Sequence, residues 1–247
     1  MKVIIIAAGF GSRLGTDTKK IPKGLLNING KSIIEKQIEL FNEFGINDIS
    51  IITGPYENFG IKNVKYIHDE DYQNHDVLGS LMAARNDILG DVLTSYSDII
   101  FDKKILQEIL QFDGDIGIPV DYEWKEAYID RNQHPISEAD TVLIKNNEII
   151  KIEKGIKKNK IDEKIAEFLG PLKLSSKGSK IIVDIYKNLE NTHKGKFGKA
   201  SSLKKAYLTD LLQYLINSGI NVIPIKISGK WCEIDTPQDL ENARKIF

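Results

Sequence analysis

The chain has 247 residues, of which 41% are hydrophobic and 28% charged, the balance of a soluble globular protein long enough to bury a sizeable core. Lys and Arg total 34 against 35 Asp and Glu, a net charge of −1, so no global charge excess draws the molecule to nucleic acid or to an anionic membrane. A single cysteine, Cys232, excludes an intramolecular disulfide and a thiolate metal cluster, and the expected compartment is the reducing cytoplasm.

Residues 3–8 form a continuous Ile-rich run, the pattern of a strand buried on both faces of a parallel sheet. With residues 9–10 the run is far shorter than the ~20 residues of a membrane span, and cleaving it as a signal peptide would delete the first strand. Ser32-Ile33-Ile34-Glu35 is a capping box opening a helix whose apolar positions Ile34, Ile38, Phe41 and Phe44 recur at helical spacing until Gly45. Strands are expected at 49–53 and 64–67, a helix at 80–88, a strand at 92–96, a helix at 103–110 and a strand at 115–120. This alternation winds a Rossmann-like parallel sheet.

The second half changes character. Residues 141–145 and 148–153 alternate around Asn146-Asn147, a two-residue hairpin turn. A strand at 167–174 follows, then helices at 179–189 and 203–217 and a strand at 221–227. A last helix has Thr236 as N-cap and Pro237 at its first position. The lysine-rich stretch 154–164 reads as a solvated loop. The expected fold is α/β, a mixed but mostly parallel sheet flanked by helices, with a small inserted hairpin in one domain spanning 1–247.

The loop after the first strand, Gly9-Phe10-Gly11-Ser12-Arg13-Leu14, begins like a dinucleotide site but has Leu14 at the third glycine, and no Gly-Lys-Ser/Thr closes a Walker loop. Exposed amides of such a turn still bind phosphate, and Arg13, Lys19, Lys20 and Lys23 supply positive charge. On residue types alone, a triphosphate site and a glycine turn flanked by surface lysines stand level.

Ala7-Ala8-Gly9-Phe10-Gly11-Ser12-Arg13-Leu14 followed by Pro22-Lys23 resembles the signature of the sugar-phosphate nucleotidyltransferase superfamily, A-A-G-x-G-[ST]-R and then P-K. Between them, Thr16-Asp17-Thr18 replaces the usual Pro-Leu-Thr. Tyr96-Ser97-Asp98-Ile99-Ile100, Glu167-Phe168-Leu169-Gly170, Leu208-Thr209-Asp210 and Gly229-Lys230-Trp231 resemble most the CTP-dependent members that act on phosphocholine, aminoethylphosphonate and similar acceptors. The resemblance implies a nucleotidyltransferase fold with a nucleotide-binding half at about 1–120 and an acceptor-binding half at about 121–247. It implies Arg13 and Lys23 as catalytic cations, and a nucleotide held by Ala7, Ala8, Gly9, Phe10, Gly11, Ser12, Arg13, Gly79 and Ser80. Mg²⁺ would sit on Asp98, Glu233 and Asp235, the first at the end of a central strand and the others two residues apart on one strand face.

Asp121, Tyr122, Trp124 and Tyr128 combine carboxylate and aromatic faces suited to an ammonium group, and with Glu167 and Asp210 they are the acceptor candidates. Simpler readings stand beside these: Asp98 capping a turn with Asp102, Glu233 and Asp235 as surface charge, Trp124 packing on the hairpin. His68, His75, His134 and His193 show no metal spacing and read as surface or turn residues. The expected activity is CMP transfer from CTP to a small phosphomonoester or phosphonate with release of pyrophosphate, without nucleic acid or membrane partners and with a homodimer allowed. A sugar-1-phosphate nucleotidyltransferase using UTP, dTTP or GTP is the alternative, and a non-catalytic nucleotide sensor a remoter one. A glycosyltransferase is disfavoured because Ser97-Asp98-Ile99 is not Asp-x-Asp.

Overall fold

The computed structural model describes residues 1–9, 21–158 and 160–247. The Ile-rich run forms β1 (Lys2–Ala7), and its alternation divides the core in two. Ile4 and Ile6 pack on one face of the sheet, Val3 and Ile5 on the other, which is why the run has no polar positions. A short ribbon of β2 (Asn27–Ile28) and β3 (Lys31–Ser32) leads into α1 (Ile33–Glu43), where the Ser32–Glu35 capping box is formed as its sequence requires.

The parallel half continues through β4 (Asp48–Thr53), β5 (Lys65–His68), α2 (Val77–Ala83), β6 (Val92–Tyr96), the short β7 (Ile99–Phe101), α3 (Lys103–Leu110) and β8 (Ile116–Asp121). The hairpin is β9 (Asp140–Lys145) and β10 (Glu148–Lys154), turning through Asn146 and Asn147 at φ +50° and +63°, the double left-handed conformation that asparagine tolerates. After it come β11 (Lys164–Phe168), β12 (Lys173–Leu174), α4 (Ser176–Thr192), α5 (Leu208–Asn217), β13 (Ile223–Lys226), β14 (Trp231–Glu233) and α6 (Pro237–Ile246).

The strands assemble in the order β10-β9-β11-β8-β12-β6-β1-β4-β5, with β13 on the other edge of β8, and β14 pairs separately with β7. Of these ten described strands β1, β4, β5, β6, β8, β9 and β13 run one way and β10, β11 and β12 the other, a mixed and mostly parallel sheet. Helices α2, α4 and α5 cover one face and α1 and α3 the other. Among the described residues no helix is long and apolar enough to cross a membrane.

Three expectations shift. The helix expected at 203–217 starts only at Leu208, where Asp210 accepts from the Tyr207 N–H and caps it. The strand expected at 167–174 is broken between β11 and β12, where Gly170 takes φ +103° and Pro171 has no N–H to give a ladder. Leu172 crosses instead to β6, its N–H bonded to Thr94 Oγ1 at 2.9 Å. The helix expected at 80–88 begins and ends earlier, because its apolar face (Leu78, Leu81, Met82) needs only two turns to cover β1 and β4.

Gly54, which follows β4, lies against the chain leaving β1: a Cβ there would stand 2.3 Å from the Ala8 carbonyl oxygen. Gly54→Ala should lower Tm by about 2–10 °C in a circular-dichroism melt, the range that overpacking of roughly 1–3 kcal/mol gives in a chain of this size. An unchanged Tm would show that the Ala8 segment yields freely.

Candidate active site

A cleft of about 1240 Å³ opens at the C-terminal ends of β1 and β6, where open α/β sheets place ligands. Three chain segments meet at its floor. Lys23 leads a short 3₁₀ turn (Lys23–Leu25), Asp98 occupies the turn between β6 and β7, and Asp235 follows β14. Ser97 N–H bonds the Ile6 carbonyl at 3.1 Å and Ile234 N–H bonds that of Asp98 at 2.8 Å, so the backbone holds the two acidic turns in register. Asp235 N–H is held in turn by Asp239 Oδ2 at 3.1 Å, within the Thr236–Asp239 capping box of α6.

The Lys23 ammonium donates to Asp98 Oδ2 at 2.7 Å and, in direct contact, to Asp235 Oδ1. Burial alone would lower its pKa, but the two carboxylates more than offset that and hold it above the ordinary lysine value. Glu233 lines the same floor and is pushed up to about 8, first by burial and then by the like charges of Asp235 and Asp98. One ammonium thus faces three acidic groups. Asp98 Oδ1 is buried without a hydrogen-bond partner, an orphaned acceptor in an acid-rich cluster, and this donor set suits a hard divalent cation.

Ala7, Ala8, Gly9 and Ser80 line one wall of the cleft, with Gly79 behind them in α2. Phe10, Gly11, Ser12 and Arg13 lie outside the described residues. Ser80 Oγ donates to the buried Asp69 Oδ2 at 2.8 Å, and His75 Nδ1 lies 2.9 Å from Asp69 Oδ1, an arrangement the sequence reading missed. His75 is therefore packed into the wall and is no surface residue.

The acceptor candidates divide. Glu167 lines the cleft, 3% exposed, with Tyr128 donating to its Oε1 at 2.5 Å and its Oε2 without a partner; Asp140, which the sequence reading passed over, lines it too. Asp210 also faces the cleft, but its carboxylate accepts from Lys199 N–H at 2.9 Å and Tyr207 N–H at 3.0 Å and serves the start of α5. Trp124 is turned inward: 7% exposed, it meets Tyr128 edge-on at 5.9 Å and packs with Ala139, just ahead of the hairpin. Asp121 stands behind the wall, receiving Trp231 Nε1–H at 2.9 Å, and Tyr122 has the ammoniums of Lys164 and Lys226 5.9 Å from its ring. His134 is the largest departure, buried and with Nδ1 3.3 Å from Asp235 Oδ2.

Burial raises the Glu167 carboxyl to about 7; Tyr128 and Arg131 pull it down while Asp121 and Asp140 add to the rise. Between its ordinary value of 4.5 and about 7 the folded chain keeps a proton that the unfolded chain has released. Its contribution to stability is therefore full below the lower value and is lost as pH rises through the upper one. Glu167→Gln should raise Tm by several degrees over wild type at pH 8 and by little at pH 5. The same gap at both pH values would remove burial as the cause.

Residues 3–135 match the MobA-like NTP transferase domain. The chain is 31% identical over 254 residues to the CTP:phosphoglutamine cytidylyltransferase of Campylobacter jejuni, covering 98% of each. It is 44% identical over 82 residues to the choline-phosphate cytidylyltransferase of Streptococcus pneumoniae, covering 30% of this chain and 36% of that one. In fold it resembles the inositol-1-phosphate CTP transferase of T. maritima, with a TM-score of 0.75 at 18% identity over 99% of this chain and 95% of the other. With a full-length relative, the family match and the nucleotidyltransferase fold in agreement, the chain belongs to the MobA-like NTP transferase domain family and is a nucleotidyltransferase.

Proposed function

We propose that this enzyme transfers CMP from CTP to a small phosphomonoester or phosphonate and releases pyrophosphate. The observation that carries the reading is the Lys23 ammonium set between Asp98 and Asp235 on the floor of a cleft that runs from the Ala7–Gly9 wall to the Glu167 side. CTP as donor is supported by the two curated relatives, both named as cytidylyltransferases and one of them naming CTP, while their acceptors differ.

An anionic oxygen of the acceptor attacks the α-phosphorus in line, forming the new P–O bond as the bond to pyrophosphate breaks. The acceptor's second pKa is about 6 by analogy with phosphoserine, so it arrives largely dianionic at neutral pH and no strong general base is needed. What the chain supplies is position and charge. Lys23 neutralises the α-phosphate and the incoming oxygen, and Arg13 with the 9–12 amides takes the leaving pyrophosphate. Ala7, Ala8 and Ser80 bound the nucleoside. Asp98, Asp235 and Glu233 would hold Mg²⁺, whose contribution when bound is charge neutralisation at the phosphates. On this reading residues of about 1–120 serve the nucleotide and those of about 121–247 the acceptor, with Glu167 and Asp140 as the polar groups facing it.

A pyrophosphate-release assay crossing CTP, UTP, ATP and GTP with small phosphates and phosphonates tests the reading. CTP should exceed the other nucleotides by at least about tenfold in kcat/KM, the discrimination available to a site that hydrogen-bonds a base edge. Equal use of UTP, or release of nucleoside diphosphate in place of pyrophosphate, would overturn it.

A further inference from the structure

We infer that His134 is itself a ligand of the divalent cation, which makes the centre a histidine-carboxylate site that takes an ion such as Mn²⁺ in preference to Mg²⁺. The inference rests on the cation-binding part of the proposed function and extends it to a nitrogen donor. Donor atoms of His134, Glu233 and Asp235 all lie within 4.8 Å of one another. The 3.3 Å between His134 Nδ1 and Asp235 Oδ2 falls within the spacing of neighbouring ligands on one ion, about 3.0 Å in octahedral and about 3.4 Å in tetrahedral geometry for bonds of about 2.1 Å.

The placement is built. His134 is 6% exposed although it belongs to an irregular segment more than ninety residues from either carboxylate in sequence. That segment is pinned to the turn carrying the two acids: Arg131 Nε donates to Asp239 Oδ1 at 2.6 Å and Nη2 to the Glu233 carbonyl at 3.2 Å. Gln238 Oε1 accepts from Asn132 N–H at 2.8 Å and Gln133 N–H at 3.1 Å, while Gln238 Nε2 donates to the Asp130 carbonyl at 2.7 Å. Ring and carboxylates therefore move as one body. Asp235 is shared between two sides: Lys23 contacts Oδ1, and His134 stands at Oδ2. The ammonium and the ion can thus be held together, one at each edge of the carboxylate.

Imidazole is a good ligand for Mn²⁺, Co²⁺ or Zn²⁺ and a poor one for Mg²⁺, which keeps oxygen ligands and water. If His134 only oriented Asp235, its loss would weaken all of these ions alike. As a ligand, its loss should weaken Mn²⁺ at least about tenfold while Mg²⁺ changes by less than about threefold.

The test is three-pulse electron-spin-echo spectroscopy of the full-length protein loaded with Mn²⁺, together with calorimetric titration of Mn²⁺ and Mg²⁺ into wild type, His134→Gln and His134→Ala. Wild type should show the modulation of a directly bound ¹⁴N, replaced by the ¹⁵N pattern when histidine alone is ¹⁵N-labelled, and the variants should lack it. The labelled wild type decides the point even if neither variant folds. Bound Mn²⁺ without nitrogen modulation, modulation that survives in the variants, or equal losses of Mn²⁺ and Mg²⁺ would overturn the inference and leave the carboxylate site standing. No Mn²⁺ binding at millimolar concentration would overturn the cation site as well.

Discussion

Asp98→Asn and Asp235→Asn are each expected to lose at least about a hundredfold in kcat at saturating nucleotide and Mg²⁺, because on the proposed function each removes a full negative charge from the group that would hold the cation at the phosphates. Asparagine is close to isosteric with aspartate, and in either variant Lys23 keeps one carboxylate partner, so circular dichroism should report a folded chain. The two need not be equal. Asp98 has one oxygen on Lys23 and the other orphaned, whereas Asp235 serves Lys23 through one oxygen and stands beside His134 with the other. Asp235→Asn should therefore be the more damaging. A folded variant of either residue with near wild-type turnover would end the assignment of a cation to this floor.

Lys23→Met carries the second large effect, and it has two opposite readouts. Turnover should fall at least about a hundredfold, since the α-phosphate loses the one described ammonium on the cleft floor. The variant is also left with Asp98 and Asp235 facing each other across the gap, and breaking a buried ion pair costs about 3–5 kcal/mol. Its Tm in EDTA should drop by several degrees and recover on adding millimolar Mg²⁺ or Mn²⁺, which replaces the lost charge. Wild type should respond less to the same addition. If divalent ions raise the Tm of both proteins equally, Lys23 and the cation do not share the carboxylates.

The fold was legible wherever its cause is local. β1 announces itself because residues 3–7 are apolar throughout, as a strand covered on both faces favours, and the Ser32–Glu35 box, the Asn146-Asn147 turn and the Thr236-Pro237 start are each written within four residues. The break at Gly170-Pro171 was less visible, since the apolar residues around it continue the strand pattern and the crossing depends on Thr94, far away in sequence. The site follows the same division. Lys23, Asp98 and Asp235 were nameable through a resemblance, yet their meeting is a property of the sheet, with 75 residues separating one pair and 212 the other. Trp124 misled because an aromatic ring among charged neighbours reads as a ligand face, whereas a 3₁₀ turn folds it under Tyr128. His134 carried no signal, because Glu233 and Asp235 lie about a hundred residues downstream and no spacing rule spans that distance.

Asp239 ties more together than the start of a helix. One oxygen accepts from the Asp235 and Thr236 N–H groups and the Thr236 hydroxyl, the other from Arg131, so the last helix, the acidic turn and the 130–134 segment converge on a single buried carboxylate. A ten-residue helix would ordinarily fray turn by turn, exchanging its amides long before the core opens. Here opening the first turn of α6 strands the Arg131 guanidinium and frees the backbone beneath Asp235. The amides of that turn and those of Asn132 and Gln133 therefore belong to one cooperative unit and should exchange with a common opening free energy. A cut or fusion that loosens the helix would therefore be felt as a loss of the whole acidic floor rather than as partial weakening of one contact.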